Sequence, residues 1–158
     1  MGFEVFFFAS WLAVSYFLLM KKRLSFQENA FVLMLCLIVN IQYTWIVFEE
    51  FERIQSSQDP FQYIAFLMNR SVIFPLVITI LMNAAFSMKS LNKRILILAL
   101  SVAVLTALSA LSLLFEIISF SHWNLLYDAI YFTLLNIAVY FGLRGFHSLE
   151  KKGVRSTW

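Results

Sequence analysis

Five ionisable side chains stand at the margins of long apolar runs: Glu49, Arg70, Glu116, His122 and Asp128. Inside a bilayer such groups are costly unless paired or wetted, so each is a functional candidate by default. Carboxylates beside an imidazole can bind a cation, pass a proton or hold a lipid headgroup, with Glu116, Asp128 and His122 as ligands or relays. The competing reading is that all five reach interfacial water and tie span ends together. Arg70 is the single cation among them, so an Arg70–Glu116 or Arg70–Asp128 pair is expected. His and carboxylates can also hold zinc, but no spacing here resembles a closed ligand set, and no metal is assigned.

Other chemistry is missing. The chain has no Gly-rich phosphate loop, His-Glu-x-x-His, Cys-x-x-Cys or nucleophile elbow. Ser119, Ser121 and His122 are neighbours, yet nothing positions a Ser–His–acid triad. The single cysteine, Cys36, lies deep in an apolar run and reads as a small buried hydrophobe. Residues 69–71 match a glycosylation sequon that lies too near the membrane to carry weight. No enzymatic activity and no cofactor are expected.

The elements that must position these residues are membrane-spanning helices. Of the 158 residues, 61% are hydrophobic and 13% charged, against roughly 45–50% and roughly 25% in soluble domains. A soluble domain of this size could not hide so much apolar surface. The same arithmetic excludes disorder, a disulfide scaffold and a basic nucleic-acid module. A spanning helix takes about 20 mostly apolar residues, and five segments qualify: about 3–20, 29–48, 71–88, 95–115 and 125–143. The expected fold is all-α, an integral membrane bundle of five transmembrane helices in a single membrane domain.

Charge orients it. With the N-terminus outside and the C-terminus inside, only Arg53 and Arg70 of the 12 Lys and Arg fall on the outer side. Of the 9 acids, only Glu28 and Glu150 fall on the inner side. An even number of spans or the reverse orientation would spoil this separation. Residues 144–158 read as a short basic cytoplasmic tail. The net charge of +3 is thus read as topology and as contact with anionic headgroups of the inner leaflet, not as nucleic-acid binding. The first span has no basic residue before it and a positive cluster after it, which favours an uncleaved anchor over a secretory signal.

Polar groups deeper in the spans are Asn40, Gln42 and Thr44, then Asn83, then Asn136. Amides between helices usually act as interhelical glue, at about 0.6–2 kcal/mol each. Pro75 should kink its span or free carbonyls nearby. Ala99, Ala103 and Ala107 form a small-residue stripe that permits close approach of a span of this chain or of another copy. Trp45, Trp123, Tyr43 and Tyr127 fit an outer aromatic belt. Residues 61–68 are apolar and aromatic but too short to span, and either lie in the headgroup layer as an interfacial helix or extend span three. Asp59-Pro60 suits the start of either.

Asn69-Arg70, Phe74-Pro75, Asn83, Glu116 and His122-Trp123 together resemble the pattern of small multi-spanning membrane proteins of endospore-forming Gram-positive bacteria. The likeness covers roughly residues 61–123. It implies a Gram-positive plasma-membrane setting and a link to sporulation, and no activity. The expectation is therefore an accessory or structural membrane component. The alternative is a small transporter or channel for a cation, proton or other small solute that uses the outer polar cluster.

Overall fold

The computed structural model describes residues 2–155, with side-chain surroundings for residues 2–148. Helix α1 spans Gly2–Leu19, and α2 spans Phe26–Thr44 and continues as a π-helical turn over Trp45–Glu50. A short strand β1 (Ile54–Ser56) precedes α3 (Pro60–Met68), which passes through a second π turn (Asn69–Ile73) into α4 (Phe74–Ser87). Helix α5 (Leu91–Leu114), strand β2 (Ile118–Phe120) and α6 (Leu125–Arg155) complete the chain. Five helical stretches are long and apolar enough to cross a membrane: Gly2–Leu19, Phe26–Glu50, Pro60–Ser87, Leu91–Leu114 and Leu125–Ser148.

Residues 61–68 extend span three rather than lying apart from it. Asp59 caps the helix by accepting from the Phe61 N–H, and Pro60 occupies its first turn. The helix then runs to Ser87, with the irregularity expected at Pro75 taking the form of the π turn just before it. Pro75 has no N–H to return to the helix, and the wider π turn sits where the regular ladder is interrupted. The C-terminal helix likewise continues past residue 143 as far as Arg155.

Burial is arranged for lipid. Large apolar side chains such as Phe7, Phe8, Trp11, Leu96, Leu100, Leu134 and Phe141 face outward, while Ser10, Asn40, Asn69, Thr79, Asn83, Ser101, Ser109, Ser112 and Asp128 are buried. With no water to solvate the backbone, helices with internal hydrogen bonds are the spanning solution, and their polar side chains must turn inward. Helices α2, α4, α5 and α6 pack in a ring, with α1 flanking it against α3 and α4. One apolar cluster, around Val32, Cys36, Ile78, Met82, Leu105 and Val139, fills the middle of the ring. A second, around Phe6, Val47, Phe66, Ile73 and Ile117, sits nearer the acidic end. The Ala99, Ala103 and Ala107 stripe is exposed on α5, and the buried stripe is Ser101, Leu105, Ser109 and Ser112.

At the acidic end β1 and β2 pair antiparallel, Ile54 opposite Phe120 and Ser56 opposite Ile118, and tie the α2–α3 connection to the α5–α6 connection. Glu116 makes this possible. Its φ of 55° lets the Ile117 N–H reach the Ser112 carbonyl (2.9 Å) and its own N–H reach that of Leu113 (3.0 Å), a Schellman ending that normally favours glycine. Glu116→Gly is expected to raise stability by about 1 kcal/mol, read as thermal unfolding in mild detergent. A clear loss of stability instead would show that the carboxylate itself is needed.

Candidate functional site

Two polar knots lie inside the bundle, one at each end. The knot at the basic end is built on Asn83 of α4. Its Oδ1 accepts the backbone N–H groups of Arg23 and Leu24, both at 3.0 Å. Its amide nitrogen donates to Asn29 Oδ1 (2.7 Å) and to the Thr79 carbonyl (2.9 Å). Asn29 in turn donates to the carbonyls of Leu24 and Ser25. Next to it Ser25 and Glu28 form a reciprocal cap on α2, and Glu28 Oε1 lies 2.7 Å from His147 Nδ1 of α6. The α1–α2 turn is thereby clasped to α4 and α6.

The knot at the acidic end centres on Asp128, in the first turn of α6 and 4% exposed. The Tyr43 hydroxyl (2.9 Å) and Trp123 Nε1 (2.8 Å) both donate to its Oδ1. Hydrogen bonds to a charged acceptor are worth about 1.5–3 kcal/mol each, which offsets the cost of holding a carboxylate in a low-dielectric interior. The Tyr43 ring stacks on Tyr131 (centroids 3.7 Å apart) and meets Trp123 edge-on. Tyr131 donates its hydroxyl to Asn40 Oδ1, and the Asn40 amide reaches the Arg70 carbonyl at 3.4 Å.

Across from Asp128 the π turn Asn69–Ile73 presents Asn69 and Arg70. Asn69 donates to Ser112 Oγ (2.9 Å), and Ser112 donates on to the Leu108 carbonyl (3.0 Å). Asn69 Oδ1 and Arg70 Nε are both buried without a hydrogen-bond partner. The Arg70 guanidinium lies over the Phe66 ring, 5.5 Å from its centroid. Among the described residues, no carboxylate comes within 4.0 Å of it. Arg70, Asn69, Asp128, Ser109 and Ser112 line one cavity of about 40 Å³, walled by Tyr131, Phe66 and Phe74 and roofed by Ile54 and Ile118 of the strand pair.

The expected five-residue cluster therefore divides. Arg70 and Asp128 share the cavity, but not as an ion pair, and Asp128 is instead held by two neutral donors. Glu49, Glu116 and His122 are exposed. Glu116 serves the turn through its backbone, and His122 lies at a shallow recess with Phe51, Arg53 and Tyr127. The deeper amides divide as well. Asn40 and Asn83 bridge helices, whereas Gln42 faces outward. Asn136 donates only to its own helix, at the Phe132 carbonyl (2.8 Å), and its Oδ1 is unpartnered. Tyr43 and Trp123 point inward to Asp128 instead of serving as belt anchors, while Trp45 and Tyr127 stay exposed.

Sequence reasoning overlooked Ser109, Ser112 and Tyr131, and named Asn69 only in the sequon and the resemblance. Ser101, Ser109 and Ser112 recur at helical spacing in the most apolar span, the signal that could have marked its inward face. Among the described residues no group of three or more His, Cys, Asp and Glu side chains is placed to hold a metal ion. Compared with protein-family models, curated proteins and solved structures, the chain matches none.

Proposed function

We propose that this chain is a non-enzymatic accessory component of a plasma membrane that holds a small polar solute in a blind pocket at its acidic end. The observation that carries this reading is that Arg70 and Asp128, of opposite charge and from different spans, line one cavity without pairing. Asp128 is buried and Arg70 half-buried, and ionisable groups at membrane depth are normally paired or functional. Ser112 is occupied by Asn69 and the Leu108 carbonyl, which favours holding a solute over attacking one. The asymmetry of Lys and Arg supports an outer acidic end and inner basic turns against anionic headgroups. The resemblance noted above favours a Gram-positive setting.

A transport reading draws on the π turn beside the pocket, since broken helices commonly mark transport sites. Against it stand the Asn83 clasp and the apolar cluster between the pocket and the basic end. The test is thermal unfolding of the protein in nanodiscs with a panel of amines, carboxylates, amino acids and phosphates, alongside flux in proteoliposomes. At least one solute class should raise the midpoint of the wild type and not of Asp128→Asn, with no flux above protein-free vesicles. No response to any solute overturns the binding reading, and a flux that Asp128→Asn abolishes replaces it with transport.

A further inference from the structure

Resting on the pocket reading above, the geometry points to a small zwitterion as the occupant, its ammonium group received by Asp128 and Asn69 and its carboxylate or phosphate oxyanion by Arg70. The unpartnered atoms set the requirement. Asn69 is 5% exposed, and its free Oδ1 is an acceptor that needs a donor. Arg70 Nε, on the next residue of the same turn, is a donor that needs an acceptor. A ligand that answers both must carry donor and acceptor groups side by side.

Charge narrows the choice further. A lone anion would gain Arg70 but meet Asp128 in the same low-dielectric space, and a lone cation would meet the reverse. A neutral solute leaves both charges without a counter-charge. A zwitterion answers both. Size sets the rest. The cavity is small, about 40 Å³, so the buried part of the ligand carries no bulky side chain. Two sources share this chemistry: a small free amino acid or aminophosphate, and the ethanolamine-phosphate headgroup of a lipid.

The experiment uses the full chain in nanodiscs of phosphatidylglycerol, which carries no amine. Glycine and phosphoethanolamine are titrated beside methylammonium, acetate and inorganic phosphate, with thermal unfolding and calorimetry as readouts. A second set of discs contains phosphatidylethanolamine. At least one zwitterion should bind at least tenfold more tightly than either of its halves, or the ethanolamine lipid alone should stabilise the protein. The first outcome assigns a free solute and the second a headgroup. Arg70→Gln and Asp128→Asn should each weaken that response at least tenfold, while Arg70→Lys, which keeps the charge but has no Nε donor, should recover part of it. The Lys variant also separates loss of the ligand from loss of the fold. If a single-charge half binds as tightly as the zwitterion, the ligand class is overturned and the pocket reading stands. If nothing binds in any arm, the cavity holds water only and both fall.

Discussion

Asn83→Ala is expected to lower the stability of the bundle by about 2–4 kcal/mol, as the loss of several buried hydrogen bonds requires. One side chain answers two backbone N–H groups of the α1–α2 turn and the Asn29 amide. Its removal leaves the Leu24 N–H and Asn29 Oδ1 without partners in a buried site. Asn83→Asp is the sharper control. It keeps the shape and the acceptor for Arg23 and Leu24 but cannot donate to Asn29 Oδ1, and it adds a buried charge. Both variants should unfold at lower denaturant in mixed micelles. A change below about 0.5 kcal/mol, the range of a neutral surface substitution, would mean that the turn is not clasped.

Asp128→Ala is expected to have the second large effect, about 2–4 kcal/mol, because it strands the Tyr43 hydroxyl and Trp123 Nε1 at a buried site. Asp128→Asn should cost less than half as much, since the amide oxygen still accepts from both. The pair separates fold from ligand. Alanine loses stability and binding together, whereas asparagine keeps most of the stability and loses the binding. Equal destabilisation by the two would show that the charge itself holds the α6 start in place. Tyr43→Phe gives an independent check, removing one donor to Asp128 while preserving the stack on Tyr131.

Much of the fold was legible because the bilayer imposes few rules and the chain obeys them. Five apolar stretches of spanning length, basic residues at alternate turns and the Asp59-Pro60 start can each be read directly from residue types. Arg70 and Asp128 were legible for the same reason, since an ionisable group in an apolar run stands out. The rest depended on facing. Glu116 looks like a ligand by type, yet its part is a left-handed backbone at a helix end, which composition does not reveal. Tyr43 and Trp123 sit at the depth of an aromatic belt, and only their rotation about the helix axis turns them toward Asp128. Gln42 and Asn40 are two positions apart on one helix, about 200° around it, so one faces outward and the other inward. The strand pair β1–β2 joins three-residue segments more than sixty residues apart in sequence, too short for any alternation to announce them.

The proposed pocket is reached from the acidic end of the bundle and not from the basic end, where the Asn83 clasp and the apolar cluster intervene. The most direct test is chemical accessibility of Ser109→Cys in a Cys36→Ser background, reconstituted in one orientation. A small cationic thiosulfonate should modify the thiol from the acidic-end side and not from the basic side, and Asp128→Asn should slow the reaction. Modification from both sides, or from neither, would contradict a blind pocket open at one end.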